Sequence, residues 1–202
     1  QAYNFVVITE GATAAQDAAG TVSTVTQVNQ LITAAVNGTV TATVGDTDVA
    51  NLIAISVGGG SNALTITVAG TSLDAGNLNT IDGITSVQVV TSEIATLTGV
   101  TAAVVTAIEA SGLDLNNTSV DIALDGGQTA VVTQINAMVA GQTPASGPRT
   151  ATISATVSTS ALDASDDATN NLLALNTTTA DAIAITVGGE ADAAQLVTLT
   201  GK

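Results

Sequence analysis

Residues 63–83 read ALTITVAGTSLDAGNLNTIDG, and residues 182–201 read AIAITVGGEADAAQLVTLTG, two versions of one plan set 119 residues apart. Each opens on an alternating run ending Ile-Thr-Val. A Gly step follows, then Asp-Ala-x-x-Leu-x-x-Ile/Leu. The alternation puts apolar side chains at i, i+2 and i+4, the period of a half-buried strand. The Leu-x-x-Ile/Leu spacing puts one apolar stripe on a short helix. An Asp at the head of that helix accepts from free backbone N–H groups and complements the helix dipole, so Asp74 and Asp192 read as helix starters. Thr71, three residues before Asp74, predicts a capping box.

The same two patterns recur along the chain. Alternating runs lie at Phe5–Ile8, Val40–Val44, Val87–Val89, Val120–Leu124 and Ile153–Val157. The Asp-led helix pattern recurs at Asp48–Ile55 and, with one extra residue, at Asp167–Leu175. Longer helical patterns cover Val22–Val36, Val100–Ala110 and Thr129–Ala140, and Gly at 38, 83, 112, 141 and 201 ends or follows such segments. Strand, helix, strand at roughly 23–33 residues per unit predicts an α/β fold whose strands are parallel neighbours. Such units stack into a solenoid with a one-sided parallel sheet. The alternative is a compact α/β or β-rich domain; a doubly covered parallel sheet wants continuously apolar strands. Here the alternate positions are polar, among them Thr41, Thr43, Thr65, Thr67, Gln88, Asp121, Ser154, Thr156 and Thr186. One sheet face is therefore expected to meet solvent or a partner. Residues 1–36 read as an N-terminal cap or assembly segment and 37–140 as a βα repeat block. Residues 141–150 (GQTPASGPRT) form a Pro/Gly loop, and 151–202 a second block of the same solenoid.

Composition narrows the function. The 202 residues are 46% hydrophobic, yet Tyr3 and Phe5 are the only aromatic side chains. Arg149 and Lys202 stand against 17 Asp plus Glu, a formal net charge of −15. Nucleic-acid binding rests on cationic contacts to phosphate, so it is excluded, as is attraction to an anionic membrane surface. No apolar run approaches the roughly 20 residues of a membrane-spanning helix. There is no Cys and no His, which removes zinc, haem and iron–sulfur sites built on those ligands. A chain that begins Gln1-Ala2 reads as processed or cut from something longer.

Nucleophilic catalysis needs a base beside the nucleophile, and neither His nor an internal Lys is present, so no enzyme is expected. Asp163, Asp166 and Asp167 lie in LDASDDATN, a cluster of hard oxygen ligands suited to calcium. Asp46 with Asp48, and Asp121 with Asp125, are lesser candidates; each also reads as a helix-start acid or a loop charge. The glycine-rich GGGSNAL at 58–64 reads as a turn. Thr-x-Thr pairs at 39, 41 and 43, at 65 and 67, and at 150 and 152 suit lateral self-association more than an ice-binding array, because other units place Gln88 and Asp121 on that face. Asn37, Asn116, Asn117 and Asn176 sit in Asn-x-Ser/Thr, a chance outcome in a chain this rich in Asn and Thr.

The runs GTVTATV at 38–44, GSNALTITV at 60–68, DAGNLNTID at 74–82 and IATLTG at 94–99 resemble the repeat regions of very large secreted or cell-surface proteins of cyanobacteria. Related repeats occur in structural proteins of their phages. The resemblance covers residues 37–140 and, more loosely, 180–202. It implies an extracellular structural or adhesive array and carries over no catalytic residue. The expectation is a non-enzymatic, self-associating surface protein, with a virion fibre or decoration protein as the alternative. A glycan or cell-surface partner and calcium are further expectations. Tyr3, Phe5 and Val7 on the first strand, and Thr65 and Thr67 on the open face, are the expected contact residues.

Overall fold

The computed structural model describes residues 5–6, 22–35, 38–58, 62–91, 93–115, 120–141, 151–160, 171–177, 180–187 and 194–195. Among them the strands are β1 (Phe5–Val6), β2 (Val22–Ser23), β3 (Val40–Val44), β4 (Ala63–Thr65), β5 (Ser72–Asp74), β6 (Val89–Val90), β7 (Thr96–Gly99), β8 (Leu113–Asp114), β9 (Asp121–Leu124), β10 (Ile153–Ser160) and β11 (Ala182–Val187). The helices are α1 (Val25–Ala35), α2 (Val49–Leu52), α3 (Ala75–Asp82), α4 (Thr101–Glu109) and α5 (Val132–Gly141), with a 3₁₀ turn at Leu172–Ala174. Every described strand pair is parallel. The protein is thus a mixed α/β fold with parallel sheets.

The chain divides into two compact units. The first gathers Gln1–Thr71, Asn77–Ile94 and Ala110–Leu115; the second gathers Ser72–Gly76, Ala95–Glu109 and Asn116–Lys202. In the first, β3 is central. β1 pairs with its first half (Phe5↔Val40) and β2 with its second (Val22↔Thr43), while β4 takes the opposite edge (Thr41↔Ala63, Thr43↔Thr65). The alternation of β3 appears directly as burial: Val40 and Val44 face the core, Thr41 and Thr43 face out. Leu64, Ile66, Val68 and Val89 are fully buried, as are Val28 of α1, Leu52 of α2, and Leu78 and Ile81 of α3.

The second unit holds a five-stranded sheet in the order β11-β10-β9-β7-β5. Its register aligns Leu73, Leu97, Ile122 and Ile153 across four strands, and all four are buried. The outward residues Ser154 and Thr156 are exposed. α4 contributes Val104, Ala107 and Ile108 to the core, and α5 contributes Val132, Ile135 and Met138. The α5 C-terminus comes close enough to α4 that a methyl group at Gly141 would collide with Cγ2 of Ile108. A side chain at Gly141 would have to displace that of Ile108.

Several expectations are corrected. Val22 and Ser23 are the strand β2, and α1 begins only after Thr24. Thr24 and Gln27 form the capping box at that start: Gln27 Oε1 accepts from Thr24 N at 2.8 Å, and Gln27 N donates to Thr24 Oγ1 at 3.3 Å. At Thr71 the chain enters a strand rather than a helix, because Ser72–Asp74 pairs in register with Thr96–Thr98 of β7. Asp74 thus ends a strand and abuts a helix. The run at Val87–Val89 is displaced to Val89–Val90. At Asp167–Leu175 the described structure is one 3₁₀ turn capped by Asn171, whose side chain accepts from Leu173 N at 3.0 Å.

The duplication seen in the opening pair is wider than that pair. VTQVN at 25–29 returns as VTQIN at 132–136, TVTATV at 39–44 as TISATV at 152–157, and NLIAIS at 51–56 as NLLALN at 171–176. The strand register is duplicated too. Thr41↔Ala63 in the first copy matches Ser154↔Ala182 in the second, and Phe5↔Val40 matches Ile122↔Ile153. The pair Ser23↔Val44 matches the isolated bridge Ala130↔Val157. The pairing is kept although the spacing between paired segments differs from one copy to the other.

Candidate functional site

The side chains repeated in both copies serve the backbone. Asn29 on α1 donates from Nδ2 to the carbonyl of Ala54 at 3.0 Å and accepts on Oδ1 from the N–H of Ser56 at 2.8 Å. Asn136 on α5 donates to the carbonyl of Ala174 at 2.8 Å and accepts from the N–H of Asn176 at 2.8 Å. Each amide thus brackets one residue, Ile55 or Leu175, by the two backbone groups either side of it. Both bracketed side chains are buried. Only a flat group with one donor edge and one acceptor edge does this, which singles out Asn or Gln. The Gln two residues earlier is duplicated as well, since Gln134 Oε1 accepts from Val131 N at 2.9 Å as Gln27 does from Thr24. Sequence reading passed over both Asn residues, although the repeated Val-Thr-Gln-Val/Ile-Asn was a usable signal.

Described carboxylates are engaged in the same way. Asp46 accepts from Asp48 N at 3.0 Å and from Asn51 Nδ2 at 2.9 Å, and Asp48 caps α2 through Ala50 N at 2.8 Å. Asp121 Oδ1 accepts from both N and Oγ1 of Thr152, at 2.7 and 2.9 Å, tying β9 to the entry of β10. Among the described residues no three acidic groups gather in a way that would hold a metal ion. Asp163, Asp166 and Asp167 lie outside the described residues, as do Tyr3 and Val7. Phe5 lies in β1, where its backbone pairs with Val40.

Asp82 is the one described acid with a resolved shift: partial burial raises its carboxyl pKa above the usual carboxylate value. Its carboxylate lies over Gly112, where a methyl group would collide with it.

Of the expected contact residues on the open face, Thr65 is exposed and Thr67 is half-buried. Thr65 stands beside the exposed Thr43. Thr67 stands beside Val90, whose side chain is also exposed. This surface offers, among the described residues, hydroxyls and methyls. Among the described residues no helix is long and apolar enough to cross a membrane. No protein-family model matches the chain, and no curated protein or solved structure matches it.

Proposed function

We propose that this chain is a non-enzymatic structural or adhesive repeat protein that self-assembles outside the cell into a fibre, sheath or surface layer. Its strand–helix units form a solenoid within each copy. The observation that carries the reading is the duplication. What the two copies hold in common is strand register, helix caps and backbone brackets, all of which are scaffolding. Selection for a catalytic or ligand site would be expected to repeat, or to single out, a cluster of reactive side chains. Parallel units with open sheet edges grow by adding further units, and the acidic surface keeps the unassembled chain soluble. Electron microscopy of the purified protein is the direct test. Filaments, sheets or lattices are expected, and a monodisperse monomer at every concentration would sink the assembly reading.

A further inference from the structure

We infer that assembly runs head to tail through two specific backbone edges: the outer edge of β11 in one copy of the chain and the outer edge of β1 in the next. This junction presupposes the self-assembly proposed above. The two copies of the internal repeat supply the reason, since each shows what covers the edge that the other leaves without a strand.

β11 is the counterpart of β4. In the first copy the far edge of β4 is covered. Thr85 Oγ1 accepts from Leu64 N at 2.8 Å and donates to Leu64 O at 2.7 Å. Val90 then donates to the carbonyl of Ile66 at 3.0 Å, and Val68 donates to that of Val90 at 2.8 Å. Ile183 and Ile185 stand where Leu64 and Ile66 stand, so their N–H and C=O groups point away from β10. Among the described residues β11 has one strand neighbour, β10.

β1 is the counterpart of β9. In the second copy the outer edge of β9 is covered by β7, with Asp121 N donating to Ala95 O at 2.8 Å and Asp125 N to Gly99 O at 3.0 Å. Ile122 N points the other way and donates to Thr152 O at 2.8 Å. Val6 matches Ala123, so its N–H points away from β3. Among the described residues β1 has one strand neighbour, β3. The edge that β1 leaves without a described strand is thus covered by a parallel strand in the other copy, and the edge that β11 leaves is covered there by the Thr85 hydroxyl and the parallel bridge Thr67↔Val90. A junction between them would be one more parallel strand pair, like those within each unit. An edge with no strand neighbour among the described residues is a template for strand addition.

Proline removes an edge donor while leaving the inner ladder intact. Ile183→Pro removes an outward N–H from β11, and Val6→Pro removes one from β1. Light scattering on size-exclusion peaks should show wild-type oligomers that grow with concentration, and monomers for each variant alone. A mixture of the two variants should give a dimer that does not grow, because each retains the edge that the other lacks. That complementation also shows both variants are folded. Hydrogen exchange on the wild type needs no mutation, and the amides of Val6, Ile183 and Ile185 should slow by at least about tenfold between dilute and concentrated protein. Oligomers that persist in both variants, or edge amides indifferent to concentration while the protein associates, overturn this junction and leave self-assembly standing through another face. A wild type that stays monomeric removes both.

Discussion

At the residue scale, the two asparagine brackets have a definite expected effect. Asn29→Ala and Asn136→Ala each strip a donor and an acceptor from backbone groups that solvent can partly reach. The loss should be about 1 kcal/mol apiece, the usual net worth of such bonds. The two sites share no partner, so a denaturant titration of the double variant should lose the sum. Asn→Asp should fare no better, because a carboxylate cannot donate to Ala54 or Ala174. Asp82 carries a pH signature of the less common sign. Its folded pKa is raised by burial above the ordinary aspartate value, so between the unfolded and folded values the folded state holds more proton than the unfolded state. Stability contributed by the neutral acid is therefore present at low pH and lost as pH rises through the folded pKa. Asp82→Asn should raise Tm at pH 7, and the gain should shrink as pH falls toward 4; an unchanged gain would show that burial of charge is not the cause.

At the element scale, Thr85 acts as a strand in miniature, since one hydroxyl closes both backbone groups of Leu64 and also accepts from Val87 N at 3.1 Å. Thr85→Val keeps the shape and removes that closure. It should cost about 1–3 kcal/mol, with Tm falling roughly 2–4 °C per kcal/mol in a chain of this size. Thr85→Ser should keep most of the stability. Strands such as Val40–Val44 and Ile153–Val157 were legible in the sequence because three apolar residues alternate with Thr or Ser, and burial follows that alternation. β5, β7 and β8 were not legible. Each buries a single large apolar side chain, Leu73, Leu97 or Leu113, among Ser, Thr and Asp. Such segments become strands because a neighbour in register completes the layer, which is a tertiary effect that local pattern does not carry. The candidate site divides in the same way. Thr65 was readable as an outward position from strand period alone. The brackets were not, because a mid-helix Asn looks solvated until its partner backbone is known.

At the scale of the whole molecule, charge opposes association. A chain of formal charge −15 repels its own copies, and salt screens that repulsion within a Debye length of about 10 Å at 0.1 M. Sedimentation at rising sodium chloride should therefore show tighter association. Weakening with salt would point instead to an ion-paired junction, for which Arg149 and Lys202 are the only basic side chains in the sequence. The parallel register has a further effect, on how the chain comes to be folded. Among the described strand pairs the widest separation is Phe5 to Val40, 35 residues, and Thr41 to Ala63 spans only 22. A sheet usually folds slowly because distant segments must first find each other. Here every described pairing partner lies within 35 residues, so strands can pair in step with synthesis of the chain. Truncation before β10 should then leave the pairings of β3 with β1, β2 and β4 in place, as hydrogen exchange on those strands would read.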